Sequence, residues 1–225
     1  MALCLAQGSG VARADPDKEA GAAEPATSWY AASIARSGSN FLMTHYWSKG
    51  SRLRSETVAG GRRLITIVDQ TTYYVIDPTS ADALAIERSA LSIAGDARRG
   101  RPFADELAVL LRAGGERVGE EEMGGQKVDR YQLTNEAGRV QIWVRSELGL
   151  PVRVERYVRS SAVREQTDYL NWLRNLPIAD SFFEPPSDIE IERIGYEDYV
   201  KRSMAERLGP APPFYAHLLH GEPES

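Results

Sequence analysis

The chain has almost no cysteine. Cys4 is the single one in 225 residues, so neither an intrachain disulfide nor a cysteine-built metal site can form. Histidine is nearly as scarce, at three residues. His217 and His220 stand at helical spacing, but in a Pro-rich tail with no carboxylate or third histidine beside them, so they read as solvated. His45 lies in an aromatic strand and reads as a packed side chain rather than a general base. Lysine is rare too. With a formal net charge of −5 and a pI near 5.4, the chain offers no basic face to nucleic acid. No apolar run approaches the length of a membrane-spanning helix.

Catalytic signatures are equally thin. There is no Gly-x-Ser-x-Gly elbow. The Gly-Gly pairs at 60–61, 114–115 and 124–125 fall where turns or helix ends need them, not in a phosphate-binding loop. Glu120, Glu121 and Glu122 alternate in direction along a strand, which suits a solvated sheet edge better than a cation site. No catalytic residue, cofactor or metal is expected. Among 32 acidic residues some pair of carboxylates always remains open, so a hydrolase with an unrecognised site stays as a rival.

What the chain does have is strands. Residues 41–47, 52–58, 64–68 and 71–76 are rich in β-branched and aromatic residues, and turns at 48–50, 59–61 and 69–70 set them in hairpin order. A second series follows at 117–122, 127–133, 140–145, 152–158 and 163–173, closing on Phe182-Phe183 and Pro185-Pro186. Residues 81–94 are ambiguous between helix and a short strand at 84–87. Helices are expected at 29–36, capped by Thr27 or Ser28, and at 101–112. In the latter, Pro102 suits the first turn and Phe103, Leu107, Leu110 and Leu111 share a face. A terminal helix is expected at 196–208, with a loose tail from Ala211. At the other end, Ala12-Arg13-Ala14 before Asp15 fits signal-peptide cleavage, so 1–14 reads as a truncated signal peptide and 15–26 as a flexible linker. Cleavage there would remove the only cysteine, which suits an oxidising compartment such as the periplasm.

Strand follows strand without the helix-per-strand rhythm of parallel βαβ units. The expected fold class is α+β, mainly β: one curved antiparallel sheet, an unclosed half-barrel, with helices covering its concave face. The half-barrel occupies 27–194, and 195–225 adds a helix and a Pro-rich tail. Tyr46, Trp47, Tyr73, Tyr74, Trp143, Tyr157, Tyr169 and Trp172 all fall on strands, and some are candidates to line a hollow under the helices.

Three motifs carry a resemblance. They are Leu150-Pro151-Val152-Arg153-Val154-Glu155, Asp168-Tyr169-Leu170-Asn171-Trp172, and the closing run of 176–186 from Leu176-Pro177-Ile178 to Pro185-Pro186. With the pattern of 46–54 and 64–77, residues 27–190 resemble the outer-membrane lipoprotein carrier family (LolA/LolB-like). That resemblance implies an unclosed barrel with a helical lid, whose hollow takes acyl chains of lipoproteins or other lipids. It also implies a non-enzymatic carrier, acceptor or sensor of the periplasm. Residues 196–225 have no counterpart in that family.

The expected function is therefore an exported protein that binds a lipid or an acylated protein and buries the apolar chain between sheet and helices. Strand parity nominates Leu53, Ile65, Ile67, Tyr74, Ile142, Val144, Val152 and Val154 as the lining; a one-residue slip would swap them to the other face. The alternative on the same fold is an envelope sensor that docks a partner protein through the 196–208 helix.

Overall fold

The computed structural model describes residues 27–221. The expected signal peptide and linker lie outside the described residues.

Two meanders make one sheet. The first runs through β1 (Ser28–Ser37), β2 (Asn40–Lys49), β3 (Arg52–Ala59), β4 (Arg62–Val68), β5 (Thr72–Asp77) and β6 (Asp82–Glu87). Two short helices follow, α1 (Ala90–Asp96) and α2 (Glu106–Arg112). The second meander is β7 (Glu116–Met123), β8 (Gln126–Thr134), β9 (Gly138–Arg145), β10 (Pro151–Val158) and β11 (Val163–Arg174). The chain then crosses the sheet and adds β12 (Glu192–Ile194), α3 (Tyr196–Ser203) and α4 (Ala216–His220). The sheet order is β12-β6-β5-β4-β3-β2-β1-β11-β10-β9-β8-β7, all antiparallel except the β12–β6 pair. The first and last strands of the two meanders meet at its centre, so β1 pairs on both sides. This is the unclosed half-barrel expected from the strand pattern.

That central position explains a correction. Residues 29–36 are not a helix but the core of β1. Their alanines favour a helix locally, yet two full strand ladders and the burial of Ala31, Ala32 and Ser33 outweigh a propensity of a few tenths of a kcal/mol per residue. The ladder with β11 slips between Ala32 and Ser33, and Leu170 is left unpaired and half exposed. The Asn171 side chain satisfies the kink, its Oδ1 accepting from the Ala32 N–H at 3.1 Å. Asn171→Ala strands that amide on a buried residue. It is expected to cost about 1–2 kcal/mol, read as a lower urea midpoint at unchanged slope.

The helix expected at 101–112 is shorter, Glu106–Arg112. Ala104 sits at a φ of 55°, which breaks any continuous helix from Pro102. Phe103 is instead an anchor, stacked on Tyr46 at 4.9 Å and on Trp172 at 5.8 Å between ring centroids. Arg101 lies beside it, with its guanidinium 5.3 Å from the Trp29 ring and 4.8 Å from the Trp172 ring.

The sheet buries both faces of its first half. On the concave face Leu53, Leu64, Val68, Tyr73, Val75, Leu84 and Ile86 join Phe103, Leu110, Tyr199, Leu218 and Leu219 in one core. On the other face Ile65, Ile67, Tyr74, Ile76, Ala83 and Ala85 form a second core under Ile189 and Ile191 of the crossing segment. The near-continuous apolar runs of β4 to β6 follow from this double coverage. Charge guards the free edge at β7, where Arg117 pairs with Asp129 and Glu120, and Glu121 accepts from Trp143 Nε1 at 2.9 Å.

The tail corrects a second expectation. It is packed rather than loose: Ala211 is buried, and Leu218 and Leu219 are 1% and 0% exposed. The two histidines are likewise not free in solvent. His220 stacks near Tyr199 and its Nδ1 lies 3.1 Å from the Tyr196 hydroxyl.

One buried carboxylate makes the fold acid-sensitive. Asp77 at the end of β5 accepts from Arg62 Nε at 3.1 Å and from the Thr79 N–H at 2.8 Å, and the Arg62 hydrogen bond brings its pKa down to about 2. The folded value is depressed, so the stabilisation is complete above the unfolded pKa of about 4 and is lost as pH falls from about 4 to about 2. Arg62 is half exposed, which discounts the contribution to about 1–2 kcal/mol. Arg62→Ala is expected to lower the Tm at pH 7 and to flatten the Tm-versus-pH curve between about pH 4 and pH 2.

Candidate functional site

Between the second meander and α2 the concave face leaves a cavity of about 630 Å³. Its existence follows from the residue sizes. The short α2 covers the sheet only through Leu107 and Leu110, while Ala35, Ala104 and Ala113 offer little bulk across the gap. The floor is Leu42 and Tyr46 of β2, Leu133 of β8 and Val140 of β9. Phe103, Val109 and Leu110 form the roof. The tail closes one side with Phe214, Tyr215 and His217.

The walls are mainly apolar, with a smaller set of polar groups among them. Asp105 and Glu106 come from the start of α2, Arg156 from β10, and Glu165 and Tyr169 from β11. Burial pushes the Glu106 carboxyl pKa up, against the pull of Arg156, whose Nη2 lies 3.8 Å from Oε1. Three tyrosine hydroxyls around the cavity are raised by the same desolvation: Tyr46, Tyr169 and Tyr215. Tyr46 is partly compensated by its 3.0 Å hydrogen bond with Ser33. All three tyrosines hold their protons at neutral pH and present neutral hydroxyls.

The eight residues nominated by parity do not end up together. Leu53, Ile142, Val144 and Val154 lie in the concave core. Ile65, Ile67 and Tyr74 lie in the core on the opposite face, because the concave positions of β4 and β5 are Leu64, Thr66, Val68, Tyr73 and Val75. Val152 falls at a register slip between Pro151 and Arg153 and is only half buried. None of the eight touches the 630 Å³ cavity. Of the strand aromatics, Tyr46 and Tyr169 do line it. Sequence reasoning missed Glu106, Val140, Arg156 and the tail residues. The one available signal was Tyr215, an aromatic in a stretch too Pro-rich to be read as packed. Among the described residues no group of three His, Cys, Asp or Glu side chains is placed to hold a metal.

No protein-family model matches the chain, and no curated protein matches it in sequence. Solved structures do match in fold. An uncharacterized conserved protein from Thermus thermophilus superposes with a TM-score of 0.56 at 10% identity, over 75% of this chain and 91% of that one. MucB in the MucA/MucB complex of Pseudomonas aeruginosa is a looser match, with a TM-score of 0.48 and 12% identity over 75% of this chain; the chain spans 59% of its length. A domain from Vibrio parahaemolyticus, provisionally described as an outer membrane lipoprotein-sorting protein, gives 0.33 at 10% identity, over 71% and 89% of the two chains. The first likeness shows the fold alone.

Proposed function

We propose that the chain is an exported, non-enzymatic binding protein that takes a hydrophobic ligand, a lipid or the acyl chain of an acylated protein, into the cavity under α2. The observation that carries this reading is the cavity itself. Its 630 Å³ falls within the roughly 300–1,000 Å³ range of small-molecule sites, and its walls are mainly apolar with a few polar groups. An apolar chain held against these walls would leave its head among the polar groups. Each buried methylene contributes about 0.8 kcal/mol, offset by the cost of association.

This differs from the parity-based site, which spans β3 to β5 and β9 to β10, in place and not in kind: the cavity lies under α2 against residues of β1, β2 and β8 to β11. The half-barrel resemblance supports the same reading. Docking of a partner protein through α3 is less favoured, because its apolar side (Tyr196, Tyr199 and Val200) is already spent against the core.

Native mass spectrometry of protein purified without detergent tests the proposal. A lipid-sized mass increment that is lost on delipidation is expected. A chain that emerges empty, and then takes up no dodecyl-tailed amphiphile, would sink it.

A further inference from the structure

The polar lining of the cavity carries three carboxylates and two guanidiniums. These are Asp105, Glu106 and Glu165 against Arg156 and Arg36. Asp105 is engaged from behind by Arg99 at 4.0 Å, while Glu165 has no ion pair among the described residues. Glu106 is the telling group. Its Oε1 is 3.8 Å from Arg156 Nη2, an ion-pair separation too long for a hydrogen bond, and its Oε2 is buried with no hydrogen-bond partner. Buried carboxylate oxygens are almost always bonded, so this one is an acceptor awaiting a donor. In the adjoining wall Tyr169 is 8% exposed, and its hydroxyl makes no hydrogen bond among the described residues. It can both donate and accept.

Both residues line the same cavity, and the Glu106 charge acts on the Tyr169 hydroxyl. Resting on the hydrophobic-ligand reading above, we propose that the cavity selects an amphiphile with a non-anionic, hydrogen-bond-donating head, a hydroxyl or an amine, held by Glu106 and Tyr169. A carboxylate or phosphate head brings no donor to Glu106 and adds negative charge beside three carboxylates. Arg156 and Arg36 are the counter-argument, since a guanidinium suits an anion. Arg156 is already shared with Glu106, and an anionic head would have to break that pair; Arg36 is exposed, so water and salt screen its charge. The direction of the Glu106 pKa agrees: a wall that disfavours one negative charge disfavours a second.

The test uses the full chain and three probes with one tail: monolauroylglycerol, dodecylamine and laurate, each titrated calorimetrically below its micelle concentration. Monolauroylglycerol and dodecylamine are expected to bind at least about 10-fold tighter than laurate. In Glu106→Gln the laurate deficit is expected to shrink to within about 3-fold, because the charge is gone and an amide donor is supplied. Tyr169→Phe keeps the ring and gives an independent check, weakening monolauroylglycerol by roughly 5-fold. Laurate binding as tightly as the others to the unaltered protein overturns the head assignment and leaves the ligand-binding reading standing. So does a deficit that persists in folded Glu106→Gln. Failure of all three probes to bind overturns both.

Discussion

Arg88→Ala is expected to cost about 3–5 kcal/mol, among the largest losses available to any single substitution in this chain. The side chain is 0% exposed and every donor is used. Its Nη1 and Nη2 meet the Asp96 carboxylate at 2.9 and 2.8 Å. The same Nη1 donates to the Asp69 carbonyl at 2.7 Å, and Nε donates to the Leu218 carbonyl at 2.7 Å. One guanidinium thus ties the β4–β5 turn, α1 and the C-terminal tail together. Truncation leaves the Asp96 carboxylate with Arg99 as its remaining partner and takes a donor from four carbonyls, those of Asp69, Gln70, Ser92 and Leu218. Arg88→Lys is expected to recover little, since an ammonium cannot span a bidentate carboxylate and two carbonyl directions at once. A Tm drop on the order of 10 °C is anticipated, with faster amide exchange at 216–220 than in β4 and β5. A loss below about 1 kcal/mol would mean that the tail is held by Leu218 and Leu219 alone. Because Phe214, Tyr215 and His217 line the cavity, the substitution should also weaken ligand binding.

That clamp marks the limit of what could be read from residues in order. The strands were legible because β-branched and aromatic alternation with Gly turns is a local signal, and β2 to β5 and β7 to β11 follow it closely. β1 was not, because Ala31, Ala32 and Ala35 are small for a non-local reason: their strand sits at the sheet centre, with β2 and β11 on either side. The tail was not, because what orders it is a pair of residues some 130 positions away. Arg88 and Ser89 donate to the carbonyls of Leu218, Leu219 and His220. The cavity suffered most. Parity assumes one buried face, and β4 and β5 have two. It also assumes unbroken registers, and both β10 and β11 slip by a residue within the half of the sheet that borders the cavity. Glu106 carries no signal in the sequence, because only the fold of α2 lays it against Arg156 of β10.

Val140→Trp should abolish binding of a dodecyl probe, by about 100-fold or more, while leaving the fold intact. Val140 lies half buried on β9, between Leu133 of β8 and Arg156 of β10, at the margin of the concave core where the side chain also borders the cavity. In a filled core the added indole would force neighbours off their rotamers at a cost of about 1–3 kcal/mol. Beside a 630 Å³ hollow it has somewhere to go, so the expected loss of stability is below about 1 kcal/mol, and burial of the ring offsets part of it. The occupied volume and the covered floor are then denied to the ligand. A hundredfold loss corresponds to about 2.7 kcal/mol, the transfer energy of only three or four methylenes displaced into water. Ala35→Phe, which fills the cavity from β1, should act in the same direction and guards against one variant failing to fold. Val58→Trp, at a position 43% exposed on β3, should change neither stability nor affinity. A folded Val140→Trp protein that binds the probe as before would place the ligand elsewhere. A variant destabilised like a packed-core insertion would mean that the space is not hollow. Unaltered stability with lost binding is the outcome that joins the cavity to its work.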